Sequence, residues 1–123
     1  MGFAILGGKY GEGVDYPGDK LIGVLVVGVG LPGFDEEQAL IQDHFEKRGF
    51  DGYDFTYRYP GITRVLQTAG RVIRSESDKG VIILIDDRFR DRFYQNIFPE
   101  HWSMNRLKDI IQLEQCLKSF WDV

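Results

Sequence analysis

Two arginines three residues apart set the first question this sequence poses. Seven of the nine arginines lie between positions 58 and 92, and the run Gln67-Thr68-Ala69-Gly70-Arg71-Val72-Ile73-Arg74 holds two of them. At about 100° per residue, Gln67, Arg71 and Arg74 fall within about 60° of one another on a helix, with Arg64 beside them. Val65, Leu66, Ala69, Val72 and Ile73 take the opposite side. The spacing predicts a helix from about Ile62 to Arg74 that buries one face and presents guanidiniums in register on the other. Such an array suits multidentate phosphate recognition. A solvated polar face would share the spacing, but this stripe contains neither lysine nor glutamate.

Three other segments carry phosphate-type signals. Gly28-Val29-Gly30-Leu31-Pro32-Gly33 has the form GxGxxG after an apolar run. A dinucleotide-binding oxidoreductase would then need a second strand ending in Asp or Glu about 20 residues on. That region is Arg48-Gly49-Phe50-Asp51-Gly52, which is no strand, and Asp35-Glu36-Glu37 would repel a phosphate. Ile82-Ile83-Leu84-Ile85-Asp86-Asp87 imitates the magnesium-binding strand of P-loop NTPases, but no GxxxxGK loop accompanies it. Its carboxylates are therefore expected to cap or pair locally. Gly11-Glu12-Gly13-Val14-Asp15-Tyr16-Pro17-Gly18 could bring backbone amides to a phosphate and an Asp15 carboxylate to a hydroxyl, or could be an ordinary turn capped by Asp15.

Positioning these groups requires strands and helices in alternation. Phe3–Leu6, Leu21–Val29 and Val81–Ile85 are continuous apolar runs, the pattern of strands buried on both faces of a parallel sheet. Asp35 can cap a helix over residues 36–48, stopped by Gly49. A further helix follows Ser103, from about residue 103, with Leu107, Ile110, Ile111, Leu117, Phe120 and Trp121 as its apolar stripe. Residues 51–59 read as loop. The fold class is α/β. With 123 residues and 43% apolar composition, the chain suits one domain spanning 1–123. A net charge of −4 excludes an overall polybasic nucleic-acid binder but not a local basic strip. The single cysteine, Cys116, excludes an internal disulfide and a cysteine-rich metal centre. The longest uncharged stretch, residues 21–34, is too short and glycine-broken for a membrane span. No signal peptide is visible, so a cytoplasmic protein, or a nuclear one in a eukaryote, is expected.

Taken together, these segments resemble the second motor domain of superfamily 2 helicases of the XPD/DinG type. Glu12-Gly13-Val14-Asp15-Tyr16-Pro17 resembles their motif V, and Gln67-x-x-Gly70-Arg71-x-Ile73-Arg74 resembles motif VI. The likeness continues through Asp78-x-Gly80 and Asp86-x-Arg88-Phe89 in family order, over roughly residues 3 to 102. It places the Gly28–Gly33 segment between the two motifs, which disposes of the dinucleotide reading.

The resemblance implies a partial RecA-like (P-loop NTPase-like) domain, with a parallel sheet flanked by helices. It also implies a motor driven by ATP with Mg2+ that moves 5′ to 3′ on single-stranded DNA. Arg71 and Arg74 would be arginine fingers, with Gln67, Gly70 and Asp15 at the nucleotide and Gly13 and Glu12 at the DNA. The phosphate loop, the magnesium-binding acidic box and the family's iron–sulfur cysteines are absent from these 123 residues. The chain is thus expected to be an excised C-terminal piece, inactive alone, whose partner is the N-terminal motor domain of the same protein. No metal ligand is expected within it, and the parent's iron–sulfur cluster stays open. An incomplete parallel sheet also leaves an edge at which copies could self-associate. The competing class is a non-enzymatic module for single-stranded DNA or protein interaction on the same scaffold.

Overall fold

A computed structural model describes residues 3–8 and 21–122. Two strands, β1 (Gly23–Val27) and β2 (Val81–Ile85), pair in parallel, with Gly23 opposite Val81 and Val27 opposite Ile85. Backbone bonds extend the ladder at both ends, from Val81 N to Ile22 O (3.0 Å) and from Gly28 N to Ile85 O (3.1 Å). The connection between them carries helices α1 (Glu36–Lys47) and α2 (Tyr59–Ala69). After β2 come a 3-10 turn (Asp87–Arg90), α3 (Arg92–Ile97) and α4 (Ile110–Trp121). This is the expected α/β architecture, a parallel sheet flanked by helices.

The core forms where α2 and the 87–102 segment cover one face of the sheet. Val26, Val29, Ile62, Val65, Phe89, Tyr94 and Phe98 are buried together there. The other sheet face is open among the described residues: Leu25 is 61% and Val27 72% exposed. The expectation of strands covered on both faces is therefore corrected, since unbroken apolar sequence reports what a strand can bury, not what this chain supplies to cover it. The predicted strand at Phe3–Leu6 is also absent. Phe3 and Ile5 are exposed, only Leu6 packs on the core, and the run turns back through a Gly8 N to Ile5 O bond of 2.9 Å.

Helix α1 follows its sequence signals. Asp35 Oδ1 accepts from Gln38 N at 2.8 Å, and Gly49 leaves the helix at φ +84°. The region read as loop, 51–59, is instead helical. Asp51 caps it through Asp54 N (2.9 Å), and residues 54–58 form a π-helical turn closed by Tyr59 N to Asp54 O. Aromatic residues and Pro60 hid this helix from a reading of apolar periodicity. The wide turn lies just before Pro60, whose ring would collide with the carbonyl four residues back in a regular α-helix. The Arg58–Asp54 ion pair (3.1 Å) and the Phe55–Tyr59 and Phe45–Phe55 ring contacts (both 5.2 Å) tie the turn to α1 and to α2. Helix α4 begins at Ile110 rather than near 103. A reciprocal cap sets that start: Gln112 N donates to Asp109 Oδ1 (2.8 Å) and Lys108 N to Gln112 Oε1 (2.9 Å).

Two glycines fix how α2 meets the sheet. A Cβ on Gly61 would lie 2.7 Å from the Val29 carbonyl, and one on Gly30 2.8 Å from the Gly61 carbonyl. Backbone therefore packs on backbone where β1 ends and α2 begins. Gly28 and Gly30, with φ of +85° and +69°, serve that turn and crossing, which accounts for the GxGxxG pattern without a dinucleotide.

Candidate functional site

Helix α2 stops at Ala69, five residues short of the predicted end, and this changes how the two arginines are presented. Gln67 lies exposed on the last helical turn, and Gly70 is the C-cap, its N–H bonded to Leu66 O at 2.8 Å. Arg71 and Arg74 lie beyond the helix, in a turn. The expectation of Gln67, Arg71 and Arg74 on one helical surface is thus corrected: the 100° register ends before either arginine.

The physical reason is a better set of partners outside the helix. Asp78 Oδ2 accepts from Arg74 N (2.8 Å) and Ser75 N (2.9 Å), the donors a continued helix would aim at upstream carbonyls. Val72, 4% exposed, drops out of the helical path to bury its side chain. A Cβ on Gly80 would stand 2.1 Å from Val72 Cγ1 and 3.2 Å from the Ile22 carbonyl. Because Gly80 directly precedes β2 and Ile22 directly precedes β1, the turn is held at the amino-terminal ends of both strands. Helix α2 starts with Gly61 against Val29 and Gly30, after the end of β1, and runs back along the sheet, so its far end reaches this rim.

Arg74 Nε donates to the Arg71 carbonyl at 3.2 Å, so the Arg74 side chain folds back over the backbone of Arg71. Arg71 is half-buried and Arg74 exposed. The two backbone N–H donors hold the Asp78 carboxyl below its ordinary value, with Arg74 N the larger influence. As an ionised carboxylate, Asp78 accepts both amides and closes the turn. Arg64, one turn before Gln67 on α2, lies against the Gly7 turn: a Cβ on Gly7 would be 3.0 Å from Arg64 Nε. The motif V residues Glu12, Gly13 and Asp15 lie outside the described residues.

The strand-end carboxylates behave as the sequence implied. Asp86 caps the 3-10 turn through Arg88 N (2.9 Å) and takes both Arg88 Nε (2.9 Å) and Nη2 (2.8 Å). That paired guanidinium lowers the Asp86 carboxyl. Its oxygens are committed, so this strand end does not fit a magnesium site. Asp87 is exposed and sits 3.7 Å from Arg90. Cys116 is free and exposed on α4.

The sequence reading noted Asp78 and Gly80 without giving either a role. A signal was present in the pair itself: a carboxylate four residues after an arginine, followed by a glycine directly before a strand, is the pattern of a closed turn. No helix of the described residues is long and apolar enough to cross a membrane.

Over 126 residues the chain is 29% identical to a probable ATP-dependent helicase of Methanocaldococcus jannaschii, covering 95% of this chain and 19% of that protein. It is 31% identical over 93 residues to a Fanconi anemia group J protein homolog of Gallus gallus, covering 72% of this chain and 7% of that one. It is 32% identical over 88 residues to a 3′-5′ exonuclease DinG of Bacillus subtilis, covering 71% and 10%. The chain therefore spans a fifth or less of the length of these relatives. The helicase C-terminal domain family matches residues 1–105, nearly the stretch over which the motif resemblance runs. This chain belongs to the helicase C-terminal domain family, and the proteins it is similar to include ATP-dependent helicases and DinG proteins.

Proposed function

We propose that residues 1–123 form a single domain, the C-terminal part of the second motor domain of an ATP-dependent DNA helicase moving 5′ to 3′. The observation that carries this reading is the turn closed by Asp78, in which the Arg74 side chain folds over the Arg71 carbonyl, in a chain of this family. Arginines so held are preorganised donors. They stabilise charge developing on a transferring phosphoryl group as water attacks, without reorganising at the moment of reaction. Arg71 and Arg74 act as fingers on ATP held by the N-terminal motor domain. Gln67 and Gly70 border the same site, at the end of α2. Asp15 faces the nucleotide, and Gly13 and Glu12 touch the single-stranded DNA. Magnesium is held elsewhere in the parent, since Asp86 is engaged by Arg88. The open edges of β1 and β2 pair with the rest of the parent's sheet.

The test is steady-state ATPase of the intact parent with saturating single-stranded DNA. The Arg71→Ala, Arg74→Ala double variant is expected to lose a large factor in turnover, since supplied fingers are worth on the order of 10³ to 10⁵. A circular-dichroism spectrum like wild type is expected, because neither side chain lies in the core cluster. A folded double variant with normal turnover refutes the finger assignment.

A further inference from the structure

The arginine turn has a second brace, supplied by the far end of the chain. Lys79 directly follows Asp78, the residue whose carboxylate holds Arg74 N and Ser75 N. Its ammonium lies 4.6 Å from the Phe120 ring centroid and 5.5 Å from that of Trp121. The two rings meet at 85° with centroids 4.9 Å apart, so they form a corner that receives the cation on two sides. Helix α4 ends immediately after them, at Asp122 in the left-handed conformation, which fixes where the corner stands.

The match to the helicase family runs only to residue 105, so α4 lies outside it. The reciprocal cap at Lys108–Gln112 gives this helix its own start, and the Glu114–Lys118 pair (2.7 Å) lies on its surface. Its last turn nevertheless reaches back to the residue beside the anchor of the arginine turn.

We propose that Lys79, Phe120 and Trp121 are positioning residues: α4 clasps Lys79 and so holds Asp78 where it keeps the Arg71–Arg74 turn closed. The order of action is aromatic corner, Lys79, Asp78, then the Arg74 and Ser75 amides. Cations over aromatic faces at exposed sites contribute modestly, which corresponds to about a two- to fivefold change in an opening equilibrium. The clasp therefore tunes the turn and leaves the fold intact. Its relevance to ATP hydrolysis rests on the finger reading above; the clasp itself does not.

The experiment is hydrogen–deuterium exchange on the full protein, read on a peptide covering residues 71–80, with the α2 peptide over 60–69 as internal reference. Lys79→Ala and Phe120→Ala are each expected to speed exchange in 71–80 about two- to fivefold. The double variant should add little to either single, since both remove the same contact. Lys79→Arg, which keeps a cation for the rings, should restore protection. Unchanged exchange in Lys79→Ala, additive effects in the double variant, or equal acceleration in 60–69 would each overturn the clasp.

A second measurement separates this from the finger assignment. In the intact parent, Lys79→Ala should lower kcat for ATP with little change in KM, because a loosened turn misplaces fingers without removing nucleotide contacts. If exchange changes as described while kcat does not, the clasp stands and its link to catalysis falls. If the Arg71→Ala, Arg74→Ala variant keeps normal turnover, the finger reading falls and the exchange result is untouched.

Discussion

Gly80 and Val72 offer a direct test of how the arginine turn is held. A methyl group placed on Gly80 would stand 2.1 Å from Val72 Cγ1, 3.2 Å from the Ile22 carbonyl and 3.3 Å from Ile73 Cδ1. The first distance cannot be tolerated, so in Gly80→Ala the buried Val72 side chain must leave its place. Overpacking of this kind costs about 1–3 kcal/mol. Val72→Ala alone removes two methyl groups from a position 4% exposed, a loss of about 1.5–2.5 kcal/mol in transfer and cavity terms. Together the substitutions should partly cancel, because the alanine methyl at 80 occupies part of the space that Val72 Cγ1 vacates. The remaining neighbours, at 3.2 and 3.3 Å, need to give by only a few tenths of an ångström. The double variant is therefore expected to be about 1–2 kcal/mol more stable than the sum of the single effects. Urea denaturation followed by circular dichroism measures all three free energies. Strict additivity would show that Val72 and Gly80 do not share this space, and the account of why α2 ends at Ala69 would lose half its support.

The Asp78 carboxyl is held below its ordinary value of 3.8 by the Arg74 and Ser75 amides, so its folded form is favoured above that pH and the advantage is lost as pH falls through the lowered value. Amide proton shifts of Arg74 and Ser75 should accordingly titrate together, with a midpoint below the ordinary aspartate value, and Asp78→Asn should abolish that titration; independent midpoints would contradict the shared acceptor. The 123-residue chain alone is expected to show no ATP hydrolysis above background, with or without single-stranded DNA, and measurable turnover by a phosphate-release assay would refute the division of labour proposed here. With a net charge of −4, the isolated chain should bind single-stranded DNA weakly and lose that binding steeply with salt. Tight, salt-insensitive binding by fluorescence anisotropy would favour the stand-alone binding module instead.

What could be read from the sequence divides along a physical line. Signals that act over three or four residues were legible: the Asp35 cap, the Gly49 stop, the apolar runs of β1 and β2, and the local capping by Asp86. Features decided by contacts between distant segments were not. The helix over 54–58 depends on rings from α1 and on a wide turn ahead of Pro60, neither of which leaves an apolar period. The end of α2 depends on Asp78 and Gly80, both beyond the end the periodicity assigned to it. At Gln67, Gly70, Arg71 and Arg74 the periodicity carries no signal for the end of α2 and runs them along a helix face.

That distinction bears on how the arginines could work. Side chains on one helical face would be fixed by α2 itself and would move only with the domain. In a turn closed by Asp78, packed through Val72 and clasped at Lys79, they are held by three separable contacts, each weaker than a helix. On the finger reading proposed above, the arginines must be in place for hydrolysis and withdrawn for nucleotide exchange. Displacing a turn of this construction costs a few modest interactions and does not require breaking the hydrogen bonds of α2 or β2. The early end of α2 thus places the arginines in a turn held by contacts separate from those that hold α2 and β2.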